Sequence, residues 1–258
     1  MTVRRVALVC WALMILTPHA AGAAASNGIL QLEPPEVAIG LFFSGTDLRV
    51  TGSAPAGSRL AVVCAGAETS VVFQEKGKIL GVFWMNIGDI AFDHVPVAYQ
   101  IATTGKLASM ARGEVLIQAG VGYDAVGSRA APASAPEQRR LLPELIKLKE
   151  REGLYSVSEG SINLQPADDG TARFSAILHL PARTPEGQYA VRLIDFQADQ
   201  ASILAEKRLQ VRFVGAAAAI KSLSATHGVL YGVLSVFIAL AAGLATGLIF
   251  SRSSQGGH

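Results

Sequence analysis

The segment GVFWMNIGDIAFDHVPVAYQIATT, residues 81–104, holds the densest set of side chains able to do chemistry. Trp84, Met85, Asn86, Asp89, Asp93, His94 and Tyr99 share one run of β character. Three chemistries can be weighed against it. A His beside a carboxylate, as in Asp93–His94, begins an acid–base pair, but the spacing supplies no further group to complete a catalytic constellation. A soft metal site would draw on Cys64, Met85, Met110 and His94. Metal binding needs convergent ligands, and adjacent residues on a strand, such as Asp93 and His94, point to opposite faces. A recognition surface needs only amphipathic anchors in a polar setting. Most of the run reads as plain sheet architecture. The special role that fits it best is a contact surface made of Trp84, Asn86, Asp93, His94 and Tyr99, with no catalytic residue, no metal ligand and no cofactor.

Other reactive patterns are absent from the sequence: there is no G-x-S-x-G, no H-E-x-x-H and no C-x-x-C. Gly120, Gly122 and Ala125 satisfy G-x-G-x-x-A. A dinucleotide fold would also need a helix there and a well-placed acidic residue after it. A small-residue loop with Pro132 and Pro136 follows instead. Lys and Arg number 22 against 20 Asp and Glu, a formal charge of +2. So weak a balance argues against nucleic acid as a partner, which needs a clustered basic face.

Such side chains must be positioned by folded elements, and the two ends of the chain say where those elements lie. MTVRR, an apolar run VALVCWALMIL and a small-residue tail ending near Ala23 or Ala25 read as a signal peptide over 1–25. Cys10 would leave with it, so Cys64 stands alone and reads as a buried structural thiol. Gly228 to Phe250 is uncharged and reaches about 34 Å as a helix, enough to cross a bilayer core. It predicts a transmembrane helix over 228–250 with a cytoplasmic tail over 251–258. Export of the front and Arg252 behind the span place the bulk outside the membrane. Gly228, Gly232, Ala239, Gly243 and Gly247 give the span a small-residue face on which another membrane protein or a second copy can pack closely.

Between the ends the text is mainly β. Short Val-, Ile- and Phe-rich runs broken by turn sequences predict Ig-like β-sandwich units with a helical insert. The boundaries read as a first unit over 29–105, an insert over 106–153, a second unit over 154–214 and a stalk helix over 215–227; two β units are the favoured arrangement, and the alternative, in which the second stretch completes the first sandwich, stays open. Within the insert, 124–136 (DAVGSRAAPASAP) reads as a surface loop, and Leu141, Leu145 and Leu148 line one face of an amphipathic helix over about 141–152.

GVFWMN, FDHVPVAY, LIKLKEREGLY, PEGQYAVRLIDF and HGVLYGVLSVFIALAAG occur in this order. In them the chain resembles an uncharacterised family of transmembrane proteins from alphaproteobacteria, with an export signal and one C-terminal span. The resemblance covers nearly the whole chain after the signal. It implies a bacterial inner-membrane location and, through an association with sulfite-exporter-like permeases, an accessory role beside a transporter. Two functions follow as expectations: a non-enzymatic envelope module that docks on a membrane partner, or a tethered periplasmic ligand- or metal-binding protein using the Cys64–Met85–His94 region.

Overall fold

The structure, a computed structural model, describes residues 29–79, 83–131, 135–167, 170–197 and 199–253. The chain opens with β1 (Ile29–Glu33), β2 (Glu36–Ile39), β3 (Gly45–Pro55) and β4 (Leu60–Ala65). A long hairpin of β5 (Glu68–Ile79) and β6 (Phe83–Pro96) leads to β7 (Tyr99–Thr103). Four helices follow: α1 (Leu107–Met110), α2 (Gly113–Ala119), α3 (Tyr123–Ala130) and α4 (Pro136–Arg151). The β text resumes with β8 (Tyr155–Ser158), β9 (Asn163–Pro166), β10 (Thr171–Pro181), β11 (Gly187–Gln197) and β12 (Gln200–Phe213). The last two elements are α5 (Gly215–Thr226) and α6 (Gly228–Ser253). The predicted signal peptide lies outside the described residues, as do residues 254–258 of the predicted tail.

The strands form a four-stranded sheet, β1-β3-β10-β9, a six-stranded sheet, β2-β12-β11-β4-β7-β8, and the two-stranded β5-β6 hairpin. The protein is therefore mainly β with one C-terminal apolar helix. The expected division into β units over 29–105 and 154–214 is corrected by this order. β10 pairs with β3 from Thr171↔Pro55 to Pro181↔Gly45, and β4 lies between β11 and β7. Each of the two larger sheets thus combines strands from both stretches. The reason is in the burial pattern. β4, LAVVCA, is buried at every position but its last, and a strand apolar on both faces needs neighbours at both edges and cover on both sides. The first stretch supplies β7 at one edge; β11 must come from the second.

One core joins the two larger sheets: Leu48, Val50 and Leu178 of one share it with Val62, Val191 and Leu209 of the other. β10 alternates, with Ala172, Phe174, Ala176, Leu178 and Leu180 buried and the residues between them turned outward. The helical insert packs α2 on β12, α3 and α4 on β6, and α4 on β8. Tyr155 fixes this joint, donating to the Pro96 carbonyl at 2.8 Å while its ring meets Tyr99 edge-on and stacks with Tyr123.

The insert departs from expectation at 124–136. Most of that stretch is helix, not loop: α3 buries Ala125, Val126, Gly127 and Ala130. Its small residues are a packing device. A Cβ on Gly127 would stand 2.5 Å from Leu142 Cδ2 of α4, so glycine lets the two helices approach. α4 also starts five residues before the expected Leu141, with Pro136 in its first turn, where a missing N–H is harmless, and Pro143 inside.

Two poles result. Ile39 pairs with Phe213, Gly45 with Pro181, and Gly187 with Val211. Short connections, 40–44 and 182–186, bridge the sheets there, so these ends lie together at the pole from which α5 leaves. At the other pole Leu60 pairs with Asp195 and, one residue on, Ala61 pairs with Thr103, beside the β11–β12 turn closed by Gln197↔Gln200.

Candidate functional site

The contact surface expected on β6 is only partly assembled. Trp84 pairs through its backbone with Lys78; its side chain lies outside the described residues. Asn86 is exposed and donates from Nδ2 to Gln74 Oε1 at 3.1 Å. Asp93 accepts from Ser70 Oγ at 2.5 Å. His94 Nδ1 stands 2.9 Å from Glu68 Oε2, while Arg129 Nη1 donates to Glu68 Oε1 at 3.1 Å. Asp93 and His94 do not point to opposite faces as a regular strand would have them. The register slips between Thr69 and Val71, so both residues oppose Ser70 alone, and His94 takes a left-handed backbone with φ 56°. That β-bulge re-aims the pair, and both are exposed.

Tyr99 corrects the prediction. It is fully buried in β7, its hydroxyl donates to the Gly120 carbonyl at 2.6 Å, and burial pushes that hydroxyl up to about 12. It anchors the insert to the sheet and offers nothing to a partner. The Cys64–Met85–His94 site is not assembled either. Cys64 is buried in β4, with its thiol pushed up to about 12 by desolvation. Met85 is exposed nine residues along β6 from His94, about 30 Å on an extended strand. Among the described residues no group of three or more His, Cys, Asp or Glu is placed to hold a metal ion.

α6 is apolar throughout its membrane-length part. Gly228–Gly247 has a mean hydropathy of 2.2 and none of it is buried. Gly228, Gly232, Ala239, Gly243 and Gly247 fall within an arc of about 100° at 3.6 residues per turn. A Cβ added at any of these four glycines would meet nothing within 4 Å. The strip is open to whatever lies beside the helix.

Sequence reasoning missed a cavity of about 380 Å³ at the pole away from α6. Val115 and Gln118 of α2, Arg192 and Ile194 of β11, Asp199 of the β11–β12 turn and Ile203 of β12 line it. Nε of Arg192 is buried with no hydrogen-bond partner among the described residues. Asp199 does not answer it, because Arg112 holds Asp199 at 2.8 Å. The cavity therefore presents one unpaired cation in a mixed wall, with Val115, Ile194 and Ile203 beside Gln118, Asp199 and Gln200, an arrangement that can take an anion with a small apolar body. The alternation of PEGQYAVRLIDF places Arg192 on the face opposite Val191 and Leu193, which reads as solvent until α2 is laid over it. Asp195, next to this cavity in sequence, is the contrary case. It is buried and accepts from Ser58 Oγ and the Arg59 N–H at 3.1 Å and from Gln197 Nε2 at 2.7 Å, so it is structural.

A family model described as "Putative transmembrane protein (Alph_Pro_TM)" matches residues 29–252. No curated protein and no solved structure gives a match.

Proposed function

The chain belongs to that transmembrane protein family, and from this premise we propose that it is a non-enzymatic, single-pass inner-membrane protein whose β domain stands on the periplasmic side and whose α6 docks on another membrane protein. The partner fitting this reading is a transporter, such as a sulfite-exporter-like permease, or a second copy of the chain within an envelope complex. The observation that carries it is the open small-residue strip on α6. Apolar surface gives no drive for association inside lipid, so close backbone approach along such a strip is what holds helices together. The test is purification of the full chain in mild detergent. Gly243→Leu with Gly247→Leu should release a co-purifying subunit that wild type retains; a wild-type chain that is monomeric and alone contradicts the docking role.

A second reading, a tethered periplasmic ligand-binding protein, is favoured by the unpartnered Arg192. In that reading a small carboxylate or oxyanion enters the cavity and takes the guanidinium as its partner. Titration of the full chain with benzoate and with sulfate checks it. Binding weakened about tenfold or more in Arg192→Gln supports a ligand site, and binding unchanged by the substitution removes it.

A further inference from the structure

We infer that the β2–β3 loop, Gly40-Leu41-Phe42-Phe43-Ser44, is a second membrane contact, with Leu41 and Phe42 seated in the interfacial layer of the bilayer that α6 enters. The inference rests on the reading of α6 as a membrane span. Phe42 is 97% exposed and Leu41 is 58% exposed, two large apolar side chains adjacent at a loop tip. The loop is not loose: Phe43 packs beneath it on the core, and its N–H donates to the Gly40 carbonyl at 3.3 Å. The tip is held outward by a fixed base.

Its position names its partner. The strand before it ends at Ile39, which pairs with Phe213, the last residue of β12. Val214 N–H donates to the Ile39 carbonyl at 3.0 Å, and α5 begins at the next residue. The loop and the anchor thus leave the domain from the same spot. α5 has 12 residues, which limits the gap between this pole and the start of α6 to about 18 Å. The interfacial layer takes up about 6 Å of that gap on each side of the hydrocarbon. Phe42 sits at the tip of the turn closed by the Phe43–Gly40 hydrogen bond, which carries it no more than about 7 Å past Ile39 before its ring is added, so it reaches the interfacial layer where α5 lies tilted and the gap is shorter than its full length. α5 is also drawn back to the domain. Lys221 forms an ion pair with Glu186 of the β10–β11 turn, and its Nζ stands 5.3 Å from the Phe213 ring centroid.

The surroundings suit a lipid surface. Two carboxylates near this pole are paired with fixed cations, Glu36 with Arg212 and Glu186 with Lys221, so neither stands alone to be repelled by anionic headgroups, and Asp47 is hydrogen-bonded to His179. Ile220 of α5 adds a further exposed apolar side chain. Apolar loop residues beside a span partition into the interface in the way peripheral anchors do.

The test uses the full chain in vesicles of phosphatidylethanolamine and phosphatidylglycerol carrying brominated acyl chains. Three single tryptophan variants are compared with wild type: Phe42→Trp, Leu240→Trp within α6, and Ile203→Trp at the opposite pole. The inference expects the added fluorescence of Phe42→Trp to be quenched at least about twofold and blue-shifted, with Ile203→Trp unaffected and Leu240→Trp quenched by deep bromines. Quenching of Leu240→Trp without any of Phe42→Trp overturns the loop contact alone. Failure to quench Leu240→Trp overturns the span itself and the inference with it.

Discussion

At the pole where α5 leaves, the chain exposes Leu41 and Phe42 and keeps neighbouring charges in pairs; at the opposite pole it leaves Arg192 unpaired above a cavity. Both poles end the same sheets, so strand chemistry does not explain the contrast. An exposed Phe is tolerable where another apolar phase covers it, and an unpaired guanidinium is tolerable where solutes can enter. In the proposed reading the first pole faces the membrane and the second the aqueous side, with the packed core between them.

The comparison can be broken at four points. The largest effect is expected at Asp195, whose carboxylate satisfies three buried or half-buried donors. Asp195→Leu should lower unfolding stability by about 3 kcal/mol, read by denaturant titration, whereas Phe42→Ser should change it by no more than about 0.5 kcal/mol. Equal effects at the two poles would erase the distinction. Next comes the helical insert. Gly127→Val forces a side chain into Leu142 and should destabilise by about 1–3 kcal/mol; a neutral result in a thermal melt means that α3 and α4 do not pack as closely as described.

Arg192→Met should leave stability unchanged or raise it by about 1 kcal/mol, since it removes a buried donor that nothing satisfies. A marked loss would mean that Arg192 has a structural partner and is not held open for a ligand. The smallest effect concerns pH. The Arg212 guanidinium holds the Glu36 carboxyl below its ordinary value of 4.5. A depressed carboxylate contributes stability above its unfolded value and loses it as pH falls through the folded one. The melting temperature of wild type should therefore exceed that of Glu36→Gln slightly near neutrality, and the two should converge below pH 4.5. The opposite sign applies to Cys64, raised to about 12 by burial from 9.0: stability is full below pH 9 and is lost as pH rises from there toward 12. In the native chain it should resist maleimide at pH 8 and react once the chain is unfolded.

What could be read in the sequence was set by the range of the interaction. The apolar helix, the β texture and the burial of Cys64 follow from composition and alternation within short windows. The amphipathic helix was legible from Leu141, Leu145 and Leu148 because its period is local. The interleaving of β3 with β10 and of β4 with β11 was not, since pairing between residues more than a hundred apart leaves no local mark. Gly127 reads as a loop former in isolation and becomes a helix contact only when Leu142 is brought to it. Tyr99 reads as a surface anchor for the same reason. The bulge at Asp93–His94 defeated the alternation rule, because one extra residue resets which face each side chain takes.

The claim on which both poles depend is that α6 crosses the membrane with its C-terminus inside and the β domain outside. Alkaline phosphatase and a fluorescent protein, each fused behind His258 in intact cells, test it directly. The account predicts an inactive phosphatase and a bright fluorescent protein; an active phosphatase and a dark fluorescent protein would place the tail outside and contradict it.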